Sequence, residues 1–436
     1  MNKLLPALLL TAACGAGLVD HDGFVLPPSG GGLQCGDLPQ KDCGTGVCVN
    51  LDRDVNNCGA CGFACATPQH ATSKCEASTC GFTCNPGFFA CASQGCCPAS
   101  AIAAGGNTTC AVVDSNVECW GSNDSGQLAV DPAGAPWSAM PVKVPGVPAA
   151  SSVAVGLAHA CAILAGTGEV MCWGANESIQ LGVTTGNGPA KVFGVSGAHA
   201  LGLGDHHSCA LTDSGAVCWG ANDSGQLGNG TTSPPAGPQP AVPNTAGATS
   251  LSAGGAFNCA ANAGKLWCWG SNASGQIIGT PLSTTATPIE NKSVSGTSMT
   301  AAGSGHACAI GSGFWCWGAN SAGQVGNGST SPTQFTNVGG NPTAVGAGAL
   351  HTCALESGIP LCWGSNTFGQ LGIGSLLPQL KPTIEVPLAG VQQLAVGSSH
   401  TCAQTTDGAL YCWGRNDTGQ VAAPLVTSVL APRPID

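Results

Sequence analysis

Short apolar runs alternate with turn-forming residues throughout residues 99–436. A representative stretch, 209–218, places the turn Thr-Asp-Ser-Gly between the runs Cys-Ala-Leu and Ala-Val-Cys. Two short apolar runs around such a turn predict a β-hairpin. A further short strand is indicated before each hairpin, as at 152–155, and a proline-led segment before that, as at 141–144. The pattern therefore predicts four short strands per unit, which is the content of one propeller blade.

The phrase Cys-Trp-Gly-x-Asn recurs seven times, at intervals of 46 to 53 residues, and it contains seven of the ten tryptophans. A fixed period of this size is typical of a solenoid, a propeller or another repeat array. The seven phrases begin at Cys119, Cys172, Cys218, Cys268, Cys316, Cys362 and Cys412.

A second cysteine lies on the other side of each predicted hairpin turn. Residues placed symmetrically about such a turn have Cβ atoms about 4.5–5.5 Å apart, slightly more than an S–S bridge needs. We therefore expect seven cross-strand disulfides, each worth about 2–3 kcal/mol of unfolded-state entropy. The predicted pairs are Cys110–Cys119, Cys161–Cys172, Cys209–Cys218, Cys259–Cys268, Cys308–Cys316, Cys353–Cys362 and Cys402–Cys412.

The full unit reads Gly-x-x-His-x-Cys-Ala-Leu and then Cys-Trp-Gly-x-Asn-x-x-Gly-Gln-Leu-Gly. It resembles the repeat of the regulator of chromosome condensation family across 99–436. The resemblance implies an all-β fold, a seven-bladed β-propeller. The first unit starts at Ala101 without a proline-led segment, and the last such segment, 431–436, has no unit after it. We therefore expect the C-terminal strand to complete the first blade and leave no open sheet edge.

Residues 35–98 form a separate cysteine-rich module in this interpretation. Twelve cysteines in so short a segment predict a fold held by disulfides, because it buries little apolar surface. Residues 43–65 are similar to stigma-specific-type cysteine-rich modules. The spacing of Cys58 and Cys61 also fits a zinc site or a redox pair, but an even cysteine number favours disulfides. The spacing does not give their connectivity.

Residues 1–14 have a positive start, a short apolar run and small residues before Cys14, as in an export signal. The apolar run is far shorter than the ~20 residues of a membrane span. The segment resembles a bacterial lipoprotein signal, which implies lipidation of Cys14. Setting Cys14 aside leaves an even number of cysteines in each region. Ordinary signal cleavage nearby is the alternative, and residues 15–34 are predicted to form a flexible linker.

Charge narrows the choice of partners. The formal net charge is −11, and the chain has only eleven Lys and Arg residues. Phosphate binding needs clustered basic residues, so a nucleic-acid partner is not expected. The sequence predicts an exported monomer, either an envelope or outer-membrane lipoprotein or a secreted protein, whose membrane contact is the N-terminal lipid.

Chemistry-bearing motifs are few. No nucleophile–base motif and no recurring carboxylate pair is present, so we predict no catalytic residue, no metal and no cofactor. Five units carry a histidine at a matched position, where the other two have Thr108 and Phe257. Because separate blades hold these histidines, we interpret them as packing residues rather than metal ligands. They are His159, His207, His306, His351 and His400.

The connections after Gly-Gln vary most between units, and repeat scaffolds usually carry recognition on such loops. Trp137, in an Ala/Pro/Gly-rich connection outside the phrase, is the best contact candidate. The sequence thus predicts a non-enzymatic binding scaffold for a protein or a surface ligand. One alternative is a glycan-binding or hydrolytic protein that uses the central cavity. The family resemblance by itself implies another, guanine-nucleotide exchange on a small GTPase.

Overall fold

The computed structural model describes residues 35, 39–44, 46–91, 95–281, 283–331 and 333–435. Every helix or strand assigned in this part of the chain is a β-strand, and none of it forms a helix able to span a membrane. The predicted signal 1–14, its lipidation site Cys14 and the linker 15–34 lie outside the described residues. The chain divides into two compact units: the first ends at Cys84 and the second begins at Asn85.

The first unit contains two antiparallel strand pairs. These are β1 (Gln40–Asp42) with β2 (Cys48–Asn50), and β3 (Ala71–Glu76) with β4 (Thr79–Cys84). Its buried apolar residues are Cys58, Ala71 and Cys75, so covalent bridges take the place of a hydrophobic core. The described bridges are Cys35–Cys48, Cys43–Cys61, Cys58–Cys75 and Cys65–Cys80.

The second unit begins with a short hairpin, β5 (Phe89–Cys91) and β6 (Gly95–Cys97). Described residues of the segment 85–98 pack with the repeats: the Phe89 ring lies 6.2 Å from that of Trp120, and the Gly87 N–H donates to the Ile435 carbonyl. The boundary expected at residue 98 therefore lies at residue 84. Cysteine content did not reveal this, because the last cysteine hairpin packs on the repeats.

The repeats form seven antiparallel sheets, and the predicted seven-bladed, all-β propeller is confirmed. Blade 1 has β7 (Ala99–Gly105), β8 (Thr108–Val113), β9 (Asn116–Ser122) and β10 (Trp137–Lys143). Blade 2 has β11 (Ala150–Val155), β12 (His159–Leu164), β13 (Val170–Gly174) and β14 (Ala190–Lys191). Blade 3 has β15 (Ala200–Leu203), β16 (His207–Thr212) and β17 (Gly215–Gly220). Blade 4 has β18 (Ser250–Ala253), β19 (Phe257–Asn262), β20 (Gly264–Gly270) and β21 (Thr285–Thr297).

The remaining blades follow the same order. Blade 5 has β22 (Met299–Ala302), β23 (His306–Ile310), β24 (Phe314–Gly318) and β25 (Thr333–Asn337). Blade 6 has β26 (Ala344–Ala347), β27 (His351–Glu356) and β28 (Ile359–Gly364). Blade 7 has β29 (Val391–Val396), β30 (His400–Thr405), β31 (Leu410–Arg415) and β32 (Ser428–Pro434).

The predicted closure of the ring by strand exchange is wrong. The C-terminal strand β32 pairs with β31 in blade 7, and the outer strand of blade 1 is its own β10. The proline-led segment thus follows its hairpin instead of preceding it. The repeat gave the correct period, but its start was placed one strand too early.

Ordinary inter-blade contacts close the ring between blades 7 and 1. The Ser398 N–H donates to the Gly106 carbonyl at 3.1 Å, and the Gln404 amide donates to the Ala99 carbonyl. Farther out, Gly419 packs so closely on β10 that an added Cβ would lie 2.5 Å from the Ala139 Cα atom. A non-glycine residue at 419 would therefore separate the two blades.

The phrase tryptophans, all fully buried, fill the spaces between consecutive blades. Trp219 of blade 3, for example, packs with Leu181 and the Cys161–Cys172 pair of blade 2. Six indole N–H groups also donate to the backbone carbonyl of the phrase glutamine in the preceding blade, at 2.7–3.0 Å. The exception is Trp120, whose Nε1 has no partner; the Gln420 carbonyl accepts the Thr109 hydroxyl, as the Gln180, Gln324 and Gln370 carbonyls accept the corresponding hydroxyls beside their indole N–H groups.

Each of the seven cysteine pairs forms a disulfide between directly opposed strand positions. Their Cα atoms are 4.1–4.2 Å apart, and all fourteen cysteines are fully buried. Each bridge stays within one blade. Covalent bonds therefore hold the hairpins of the repeats, whereas packing and hydrogen bonds hold the blades together.

The tryptophans offer a matched test of these hydrogen bonds. Trp173→Phe removes the donor that the structure shows for the Gln127 carbonyl, whereas Trp120→Phe removes an indole without a partner. An unsatisfied buried carbonyl costs about 1–3 kcal/mol, so Trp173→Phe should destabilise by that much more than Trp120→Phe. Denaturant unfolding of both variants measures the difference. Equal losses would show that the indole–carbonyl bond contributes nothing.

Candidate functional site

The repeats present two rims, and the one we call the upper rim carries the variable connections. It consists of the turns after the innermost strands and the loops after each Cys-Trp-Gly-x-Asn phrase. The turns are 105–107, 156–158, 204–206, 254–256, 303–305, 348–350 and 397–399. The opposite rim carries the short hairpin turns, such as Asp114 and Asp213.

The loop residues of the phrase serve the fold. Six of the seven phrase asparagines are buried, and Asn123, for example, accepts the Leu128 N–H and donates to the Ala135 carbonyl. The Gln127 side chain accepts the Ser125 N–H at 2.8 Å. Because these groups are satisfied inside the loop, a ligand must contact the residues between them.

The five repeat histidines lie at the junctions between blades. Each is fully buried, and its Nε2 atom is hydrogen bonded to a side chain of the next blade. The pairs are His159–Ser208 (2.9 Å), His207–Asn258 (3.1 Å), His306–Thr352 (2.8 Å), His351–Thr401 (3.0 Å) and His400–Thr109 (2.8 Å).

The partner side chains determine which nitrogen carries the proton. The Thr352 hydroxyl donates to the Gln324 carbonyl, which can only accept, so it accepts its second bond from His306 Nε2–H. His306 Nδ1 has no partner. Burial lowers the pKa of the histidines to about 3 for His159 and His351 and about 4 for His207, His306 and His400. In the fold they are neutral packing groups, each committed to one junction.

The two units without histidine also lack the polar partner. At the junction after blade 4, Phe257 packs in one cluster with Ala307, which occupies the partner position. At the junction after blade 1, Thr108 is followed in blade 2 by Ala160 at that position. Histidine and polar partner therefore occur together or not at all. The sequence contains this signal, but only in a comparison of each repeat with the next one.

The central cavity is lined by small and apolar residues. Its upper part, about 110 Å³, is bordered by the glycine-rich turns, and a second part, about 300 Å³, by Ala, Val, Leu, Gly, Ile, Ser and Thr residues of the innermost strands. Asp205 is the ionisable residue in its lining; burial raises its pKa, and His206 opposes that shift. A glycoside hydrolase uses two carboxyl groups, and these linings supply one.

One exposed position of the upper rim is charged on four neighbouring blades. The exposed position after the phrase asparagine is acidic in blades 7, 1, 2 and 3 and uncharged in blades 4, 5 and 6. In that order the residues are Asp417, Asp124, Glu177, Asp223, Ala273, Ser321 and Thr367. At this position, one half of the rim is therefore acidic.

The predicted contact residue Trp137 lies in that half. It begins β10 directly opposite Ser122 and is 41% exposed. Ser122 lines a cavity of about 340 Å³, which we call the 7–1 cavity. Its lining includes Asn107, Ser122, Asp124, Ser125, Leu157 and Arg415.

Arg415 is held in place at this cavity. Its Nε atom lies 2.9 and 2.8 Å from the two carboxylate oxygens of Asp417, and its guanidinium carbon lies 4.9 Å from the Phe368 ring centre. Partial burial raises the pKa of Asp417, but the hydrogen bonds from Arg415 and Gln420 outweigh it and lower that pKa overall. Sequence reasoning missed Arg415, although no other phrase has an arginine at this position.

Three cysteines of the cysteine-rich module lie close enough to bind a metal, but all three form disulfides. The sulfur atoms of Cys58, Cys65 and Cys80 lie within 4.8 Å of one another, but they belong to two bridges and carry no thiolate. Cys58 and Cys61 bond to different partners, so they are not a redox pair with each other. Among the described residues, this is the only group of three such ligands.

The buried histidines predict acid sensitivity. In the unfolded chain these histidines bind protons near pH 6.5, but in the folded chain only near pH 3–4. Their contribution to the stability of the fold is therefore fully present above pH 6.5 and is lost as the pH falls below it. The slope is about 1.4 kcal/mol per pH unit for each histidine. Unfolding midpoints between about pH 7.5 and pH 5 measure it; a flat profile would contradict the assignment.

A double-mutant cycle tests the pairing of histidine with its partner. His306→Phe combined with Thr352→Ala recreates the Phe257–Ala307 pair, so the double variant should lose about 1 kcal/mol less than the sum of the single losses. His306→Phe combined with Thr109→Ala, which affects two separate junctions, is the control and should be additive. Additivity in both cycles would refute the coupling.

Family models of the regulator of chromosome condensation (RCC1) repeat match residues 150–180, 199–226 and 391–420, and residues 358–404. No protein of curated function matches the sequence.

Solved structures match at similar levels. Human WBSCR16 is 21% identical with a TM-score of 0.65, covering 74% of this chain and 94% of that one. Yeast RCC1 (Prp20), solved bound to Kap60, is 22% identical with a TM-score of 0.65, covering 74% and 83%. Prp20p of Saccharomyces cerevisiae, described with its binding to Gsp1p and histones, is 21% identical with a TM-score of 0.59, covering 70% and 83%.

These identities establish a common fold, and the family matches fall on four of the blades. The chain thus carries regulator of chromosome condensation repeats, which build its seven-bladed propeller.

Proposed function

We propose that the protein is an exported, non-enzymatic binding scaffold whose upper rim on blades 7, 1, 2 and 3 contacts a protein or a surface ligand. The observation that carries this proposal is that different residues of each repeat serve the fold and face the solvent. Buried phrase residues hold the blades and loops, while the exposed residues between them vary and are acidic on one half of the rim. A rigid frame with variable loops is the usual arrangement of a repeat binding protein.

Several features support the absence of catalysis. The central cavity offers Asp205 without a second carboxylate, and the repeat histidines are neutral and hydrogen bonded across junctions. The described residues hold no other cluster of three acids, histidines or cysteines than the bridged cysteines of the module. Yeast Prp20 binds Kap60, Gsp1p and histones, which is consistent with a binding role for this fold.

Export is proposed from the cysteine chemistry and the N-terminal pattern. Disulfides persist in oxidising compartments, and both units of this chain contain several. The segment ending at Cys14 resembles a lipoprotein signal. Export would separate the protein from a nuclear GTPase, so we do not extend the family's exchange activity to this chain.

Lipidation of Cys14 is tested by fatty-acid labelling of the full chain expressed in a bacterium. The wild-type protein should incorporate the label and sediment with membranes, whereas Cys14→Ser should do neither. Thiol alkylation before lysis checks the compartment. A label-free protein with alkylated propeller cysteines would refute both export and anchoring.

The binding rim is tested by crosslinking on intact cells. Glu177→Gln with Asp223→Asn removes two exposed charges from the upper rim, and Asp114→Asn with Asp213→Asn removes two from the opposite rim. The first variant should lose crosslinked products that the second retains, because a contact surface depends on its own charges. Equal crosslinking by both variants, or loss in the second alone, would place the contact elsewhere.

A further inference from the structure

We infer that the 7–1 cavity binds a neutral saccharide; this assigns a ligand class to part of the proposed upper-rim surface and rests on that proposal. The cavity of about 340 Å³ falls within the ≈ 300–1,000 Å³ range of small-molecule sites. It opens on the upper rim where blades 7, 1 and 2 meet, and all three blades contribute lining residues.

The polar groups of the cavity favour a ligand without net charge. Arg415 from blade 7 and Asp124 from blade 1 bring opposite charges to the same cavity. An anion attracted by Arg415 would meet the carboxylates of Asp124 and Asp417, and a cation attracted by Asp124 would meet Arg415. Hydroxyl groups both donate and accept, so a polyhydroxylated ligand satisfies both side chains at once.

Arg415 is positioned to donate hydrogen bonds to a ligand in the cavity. Its Nε and Nη2 atoms bond to Asp417, and the ring of Phe368 lies against its guanidinium group. The Nη1 atom is free of that ion pair and retains two N–H groups. Because the side chain is already ordered, a ligand hydroxyl would bind it with little loss of conformational entropy.

Asp124 and Asn107 supply complementary groups. The Ser122 hydroxyl donates to one oxygen of Asp124 at 3.2 Å, which orients the carboxylate and leaves its other oxygen as an acceptor. Asn107, in the first turn of blade 1, adds an amide that donates and accepts. The cavity thus offers donors and acceptors from two blades.

Trp137 and Leu157 add apolar surface at the margin. Ala139, two residues further along β10, packs against Gly419 of blade 7. Trp137 also lies opposite Ser122, a lining residue. Leu157, 40% exposed, lines the cavity from blade 2. Apolar surface beside hydrogen-bonding groups suits a sugar ring, which has C–H faces and hydroxyl edges.

The other repeats show that the fold does not require this set. The position of Arg415 holds Ser122, Ala175, Ala221, Ser271, Ala319 and Ser365 in the other blades. The position of Asn107 holds Ala158, His206, Ala256, Gly305, Leu350 and Ser399. The blades close equally well with these residues, so the arginine and the amide at the 7–1 junction are explained by a ligand.

The test uses the full chain and saturation-transfer NMR with glucose, galactose, mannose and N-acetylglucosamine, with titration calorimetry for any sugar that binds. At least one should bind, and Asp124→Ala and Trp137→Ala should each weaken binding about tenfold or more, the loss of roughly one good contact. Asp223→Ala, the matched exposed acid of blade 3, is the control and should bind normally. Unfolding midpoints check that all variants fold.

Two results would overturn the inference: no binding of any of these sugars, or binding that Asp124→Ala and Trp137→Ala leave unchanged. Preference for glucuronate over glucose would also overturn it, because it would assign the cavity to an anion. These outcomes are separate from the crosslinking test, which changes Glu177 and Asp223 on other blades. The scaffold proposal therefore stands or falls independently of the saccharide site.

Discussion

The backbone carbonyl of the phrase glutamine is the group on which the ring depends. At six junctions it accepts the indole N–H of the next blade, and at Gln420 it accepts the Thr109 hydroxyl. Where a histidine is present, the same carbonyl fixes its proton, because the bridging hydroxyl, or the Asn258 amide at His207, donates to the carbonyl and accepts from the imidazole. In such a buried network, removing one partner leaves a polar group unpaired, which costs free energy.

This arrangement separates two kinds of stability. The disulfides of the repeats lie within blades and limit the unfolded freedom of each hairpin. Nothing covalent joins the described blades apart from the chain itself, so ring closure between blades 7 and 1 relies on the same packing and hydrogen bonds as every other junction. Phe89, Cys97 and Ile435 add contacts at this seam, where the first and last blades meet.

Sequence reasoning found the fold because the repeat makes its period, its hairpins and its cysteine pairs local features. It misplaced β32 because the repeat length does not show where each repeat begins. A proline-led segment between two units can belong to either one. It left the partner of His306 unidentified because Thr352 lies one blade further on. The 7–1 cavity was likewise hidden, since Asp124 and Arg415 are distant in sequence and meet only because the ring closes.

Positions where one repeat differs from the others show which residues serve the fold and which serve function. Phe257 departs from histidine, but Ala307 departs with it, so the pair preserves packing. Such compensated changes report on structure. Arg415 also departs from the repeat consensus, but the fold does not need an arginine there, since the other blades have alanine or serine at this position. It is nevertheless ordered by Asp417 and Phe368 at a cavity. In a ring of near-identical blades, an ordered residue that the other blades do without is the one to connect with a ligand.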